Sequence, residues 1–65
     1  MTGFLNLMPR EFEVGDVWDE GLEVATIEPL PNYDAYRITF RNGYVEALWP
    51  AMAPRRIFRP RRNEP

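Results

Sequence analysis

The dipeptide Asn42-Gly43 constrains this chain more than any other pair of residues. It lies between two runs of alternating character, Tyr36-Arg37-Ile38-Thr39-Phe40 and Tyr44-Val45-Glu46-Ala47-Leu48-Trp49. Asn and Gly tolerate positive φ at least cost, and a two-residue type I′ turn matches the twist of the strands beside it. Such a turn predicts one register, in which Phe40 faces Val45, Ile38 faces Ala47 and Tyr36 faces Trp49. Side chains alternate along a strand, so those residues share an apolar face, while Arg41 with Tyr44, Thr39 with Glu46 and Arg37 with Leu48 share the other. A slip of one residue would carry Arg37 and Glu46 into the core, so turn chemistry and hydrophobic pattern specify the same pairing.

The remaining chain reads as short strands around this hairpin. Phe12 and Val14 alternate with charged neighbours, Gly15-Asp16 marks a turn or bulge, and Val17-Trp18 has high β propensity. In Leu22-Glu23-Val24-Ala25-Thr26-Ile27-Glu28 the apolar residues change parity, Leu22 and Val24 on one face and Ala25 and Ile27 on the other. That pattern predicts a bent or bulged strand serving two sides of a small core. Pro29 to Asp34 is expected to end it as an irregular connection. Pro50-Ala51-Met52-Ala53-Pro54 predicts a single helical or 3₁₀ turn, and Arg55 to Arg59 a short last strand stopped by Pro60.

Five strands in this order resemble an SH3-like small β-barrel, the architecture of SH3, Tudor, KOW and Sm-type modules; the Val14-Gly15-Asp16-Val17 turn and the Pro50 to Pro54 insert carry the likeness. The expected fold is therefore all-β, either a five-stranded SH3-like barrel or a strongly bent antiparallel sheet. Residues 1–9 are read as an apolar arm in which helix and strand are not separable, residues 10–59 as the domain, and residues 60–65 as a flexible basic tail. A chain of 65 residues holds one domain, and at that size only about 60% of the unfolded surface is buried on folding.

Composition bears on function chiefly through what is missing. There is no His, Cys, Ser, Lys or Gln, and all eight basic residues are Arg. The usual general bases, activated thiols, zinc ligands and amine or serine nucleophiles are absent with them. A non-enzymatic protein without cofactor or metal is expected, and Arg in place of Lys fits a GC-rich coding sequence such as bacteria and their phages carry. Without cysteine there is no disulfide. The segment before Pro9 lacks a basic leader and is too short for a membrane span, so a cytoplasmic protein that does not engage membranes is the simplest expectation.

Charge is divided along the chain. Residues 1–46 carry nine carboxylates against three arginines, and residues 47–65 one carboxylate against five arginines. The cluster Glu11, Glu13, Asp16, Asp19, Glu20 and Glu23 has no calcium-loop spacing and reads as a solvated acidic surface. Arg55, Arg56, Arg59, Arg61 and Arg62, with Phe58 among them, have the chemistry to contact phosphates or an acidic partner. They could equally be outward strand residues that lie on the acidic surface of the same chain or of another copy. An exposed patch of Leu30, Tyr33, Arg41, Tyr44 and Leu48 is the expected protein-binding surface. The Tudor resemblance implies an aromatic cage for a methylated cation, with Trp18, Tyr33 and Tyr44 as its rings, although core and surface cover is their ordinary use. Protein binding is the leading functional expectation, with nucleic-acid binding through the arginine arm or a self-associating structural subunit as alternatives.

Overall fold

The computed structural model describes residues 3–59. They form two three-stranded antiparallel sheets, one in the order β1 (Gly3–Leu7), β6 (Arg55–Arg59), β2 (Val17–Trp18), the other in the order β3 (Val24–Leu30), β4 (Ala35–Phe40), β5 (Val45–Pro50). Pro9–Glu11 and Pro31–Tyr33 are single 3₁₀ turns. The expected all-β class is what is found. The sheets do not close into a barrel: β1 and β5 are outer strands, and the described pairings do not join them. What links the sheets is one corner, where Val17 bridges Glu23 and the Gly15 and Val24 N–H groups donate to the carbonyls of Val24 and Asp16 at 2.9 and 2.8 Å.

Six strands replace the five expected, because residues 3–7 are not a loose arm. Their backbone pairs along its length with β6, from Gly3 opposite Arg59 to Leu7 opposite Arg55. Leu7 then packs against the core, and the Phe4 ring lies 5.6 Å from that of Phe58. The tail expected at residues 60–65 lies outside the described residues. β3 is bulged at Ala25, between Val24 opposite Phe40 and Thr26 opposite Thr39, as the parity change requires. It runs on through Pro29 and Leu30 instead of ending there; Pro29, opposite Tyr36, lacks only an N–H on a strand that has β4 along one side.

The central hairpin differs from its expected register in an instructive way. The Gly43 N–H donates to the Phe40 carbonyl at 2.9 Å and the Phe40 N–H to the Tyr44 carbonyl at 2.8 Å, so the loop has three residues. Gly43 has φ +94°, whereas Asn42 does not take the positive φ that a type I′ turn demands, and its side-chain oxygen accepts from the Tyr44 N–H at 2.9 Å. This is a type I turn closed by a glycine bulge, the common three-residue alternative. Pairing near the turn is shifted by one: Thr39 faces Val45 and Ile38 faces Glu46. A second bulge sets Ala47 and Leu48 against Arg37 and restores Tyr36 opposite Trp49, as expected. Val45 and Ala47 are therefore exposed, and Tyr44 and Glu46 project on the face of Phe40 and Ile38.

The core is Phe12, Trp18, Val24, Ile38, Phe40 and Ile57, with Leu22, Ile27, Tyr36 and Trp49 packed at its margin. Trp18 is its hub. Its ring meets those of Phe12, Phe40 and Trp49 edge-on at centroid distances of 5.9, 4.9 and 4.9 Å, arrangements that suit the ring quadrupoles. One carboxylate is buried beside this core. Asp16, 1% exposed, accepts from Arg59 Nε at 2.7 Å and Nη2 at 2.9 Å, and from the Glu13 N–H at 2.8 Å. Arg59 Nη2 also donates to the Glu11 carbonyl at 3.0 Å. The last described strand is thereby clasped to the loop before β2.

Candidate functional site

Three of the five C-terminal arginines lie within the described residues, and each contacts a group of its own chain, Arg55 and Arg59 partly buried and Arg56 exposed. Arg59 forms the clasp with Asp16, whose hydrogen bonds hold its guanidinium above the ordinary arginine value. Arg55 donates to Glu20 at 2.9 Å with its guanidinium 4.8 Å over the Trp18 ring, and Arg56 lies 4.3 Å over the Phe4 ring. The acidic loop is thus the partner of Arg55 and Arg59 within one molecule. Asp16 corrects the expectation of a wholly solvated acidic surface, since it is the loop's buried charge. Arg61 and Arg62 lie outside the described residues.

The expected patch of Leu30, Tyr33, Arg41, Tyr44 and Leu48 is not brought together at one place. Leu30 pairs with Ala35 at one end of β4 and Tyr33 follows it, 69% exposed. Tyr44 stands opposite Phe40 at the other end, about 17 Å along the strand at the usual rise per residue. Arg41 pairs with Glu23 at 2.8 Å, and Leu48 is exposed in the β5 bulge, on the face of Arg37. The same separation removes Tyr33 from any cage with Trp18 and Tyr44.

What the fold builds at the Tyr44 end is a cleft of about 380 Å³ between the sheets. It is lined by Trp18 of β2, Leu22, Tyr44 just before β5, Trp49 of β5 and Arg55 of β6, together with Glu20, Asn42 and Glu46. Trp49 is fixed by its indole N–H, which donates to the Ala53 carbonyl at 2.8 Å across the turn from Pro50. Tyr44 packs on Phe40 at 5.8 Å and donates its hydroxyl to Glu46 Oε2 at 2.8 Å. That hydrogen bond, and then the charge of Glu46, raise the Tyr44 phenol above its ordinary value, so it remains a donor at neutral pH. Trp49, Glu46 and Glu20 were not among the residues expected to form a site. For Glu46 the reason is register: the type I′ pairing places it outside, and only the three-residue loop turns it into the cleft. A second groove, lined by Phe4, Val17, Trp18, Asp19, Gly21, Arg56 and Phe58, lies beside β1.

The cleft presents aromatic rings, two carboxylates and a guanidinium. Among the described residues no group of three or more carboxylates is placed to hold a metal ion, and no helix is long and apolar enough to cross a membrane. Compared with known protein families, curated proteins and solved structures, the chain matches none.

Proposed function

We propose that this protein is a small non-enzymatic binding module, resembling SH3-like modules in its strand order, that engages another protein through the cleft between β2, β5 and β6. The observation that carries this reading is the convergence of Trp18, Tyr44 and Trp49 with Glu20 and Glu46 on one concave surface. Aromatic rings with polar edges are the side chains that most often anchor protein interfaces, because they present large rigid area at little entropic cost. The side-chain repertoire lacks His, Cys, Ser and Lys and leaves carboxylates, Thr and Tyr as its acid–base and nucleophilic groups, which agrees with binding as the activity.

Nucleic-acid binding through the arginines is the alternative. The intramolecular engagement of Arg55, Arg56 and Arg59 weighs against it, since each would have to leave a carboxylate or ring to meet a phosphate. The two readings separate in one experiment. Tagged protein is recovered from cells of its source with and without nuclease, alongside Tyr44→Ala, whose side chain is half exposed and expendable to the core. A stoichiometric protein that survives nuclease and is lost from Tyr44→Ala supports the module. Material that vanishes with nuclease or moderate salt and ignores Tyr44→Ala supports the arginine reading.

A further inference from the structure

Two buried donors in the cleft have nothing to donate to. Trp18 Nε1 and Arg55 Nε are shut off from solvent and, among the described residues, neither meets an acceptor. Both residues line the cleft, and the Arg55 guanidinium lies 4.8 Å over the Trp18 ring. In the unfolded chain each of these N–H groups binds water, so burying it unpaired opposes folding, and such a group calls for a partner that completes it. Arg55 covers the indole on a weak tether, since the carboxylate that holds its Nη2 belongs to Glu20, whose side chain is 64% exposed. Glu46 carries the opposite imbalance. It accepts one hydrogen bond, from the Tyr44 hydroxyl, and among the described residues no cation lies within ion-pair distance of it. A carboxylate has acceptor sites left after one such bond.

Resting on the reading of the cleft as a protein-binding surface, we propose that its ligand is the side-chain carboxamide of a glutamine in the partner protein. The carbonyl oxygen accepts from Trp18 Nε1 and Arg55 Nε as Arg55 turns off the ring, and the amide N–H groups donate to Glu46. The two orphan donors require an acceptor, and charge decides which kind. The cleft holds two carboxylates against one guanidinium, so an anionic acceptor enters against repulsion while a neutral carbonyl does not. Among neutral groups, a hydroxyl has one oxygen to serve both needs. A trans peptide points its single N–H away from its carbonyl and carries chain on both sides. A carboxamide enters end-on, with an acceptor and two donors on one planar tip. Glutamine is favoured over asparagine because the donors lie beneath the Arg55 side chain, where the longer stem reaches them.

The test uses the full chain labelled with ¹⁵N, titrated into the millimolar range with three blocked tripeptides. These are acetyl-Gly-Gln-Gly-N-methylamide, in which the side chain is the one primary amide, and the same peptide with glutamate or leucine. Glutamate keeps the shape and the acceptors but adds charge and loses the donors; leucine keeps neither donor nor acceptor. Expected is a saturable downfield shift of the Trp18 indole N–H signal by the glutamine peptide, with glutamate and leucine each at least about fivefold weaker, as the loss of one hydrogen bond implies. The Trp49 indole, already donating to Ala53, should move less. Arg55→Met keeps an apolar stem over Trp18 without Nε and should weaken the glutamine peptide by about fivefold. Glu46→Gln, which keeps an acceptor for the Tyr44 hydroxyl, should narrow the preference for glutamine over glutamate. Glutamate or leucine binding as tightly as glutamine, a Trp18 indole signal that stays in place, or indifference to either variant each overturns the proposal. The underlying cleft reading is judged separately. Partner capture that Tyr44→Ala abolishes, with the glutamine peptide failing, keeps the cleft while the carboxamide assignment falls, whereas partner capture indifferent to Tyr44→Ala removes the cleft itself.

Discussion

Removing Arg59 should be the most damaging change available at a partly exposed position. In Arg59→Ala, Asp16 keeps the Glu13 N–H but loses both guanidinium bonds, at 2.7 and 2.9 Å, while remaining a carboxylate that is 1% exposed. Breaking a buried pair by deleting one partner costs about 3–5 kcal/mol, and the lower end applies because water can enter where the arginine stood. A chain of this length has roughly 3–10 kcal/mol of stability in total, so from about a third to all of it would be lost. With a urea slope near 1 kcal/mol/M for so small a domain, the midpoint should fall by about 3 M. The assay is urea unfolding followed by the fluorescence of buried Trp18. Arg37→Ala is the control. It removes a 3.3 Å pair whose side chains are 49% and 57% exposed, and should cost less than about 0.5 kcal/mol. Arg59→Lys keeps the charge without the fork and should fall between the two. The Asp16→Ala, Arg59→Ala double variant should lose less than the sum of the single losses, because it leaves no buried charge behind. An Arg59→Ala midpoint within about 0.5 M of wild type, equal to that of Arg37→Ala, would refute the clasp as the anchor of β6.

Three further outcomes follow from the register and turns. Val45→Thr should change stability by less than about 0.5 kcal/mol, since Val45 is exposed; a loss above about 1 kcal/mol by thermal unfolding would instead favour the two-residue turn that places it inside. Asp34, at φ +51° after the second 3₁₀ turn, holds a conformation that glycine adopts freely, so Asp34→Gly should stabilise or be neutral in the same assay while Gly43→Ala costs about 1 kcal/mol. The raised phenol of Tyr44 means that its protonated form is favoured by folding. Its contribution is fully present below the ordinary tyrosine value and is lost as pH rises through the raised one, so an ultraviolet titration should show a late-titrating tyrosine that Glu46→Gln returns towards the ordinary value.

Much of the architecture can be read from local chemistry. The strand at Val17-Trp18, the bulge at Ala25 and the turn after Pro50 each follow from β propensity, parity or proline placement, whereas Tyr36 meets Trp49 as expected only because the second bulge cancels the shift at the hairpin turn. The arm at residues 3–7 cannot be read this way, because Phe4-Leu5-Asn6-Leu7 has no clean period and becomes a strand only when β6 offers its edge. The turn at Asn42-Gly43 fails for another reason. Two-residue and three-residue loops both place Gly43 at positive φ and differ in whether Asn42 takes it as well. That single step decides whether Tyr44 and Glu46 face solvent or the cleft.

The sequence by itself therefore determines an all-β chain, where its turns fall and most of its apolar core, because those depend on periods of two and on residues with restricted φ. Tertiary structure decides which charges are spent and which are offered. Asp16 and Arg59 stand far apart along the chain and are joined only when β6 lies against β2; Arg55 meets Glu20 and Trp18 through the same approach. Glu46 lies in the cleft because the three-residue loop shifts its pairing by one and turns it inward. Pairing across sheets depends on the closing of long loops around a shared core, and no local pattern in the chain encodes it.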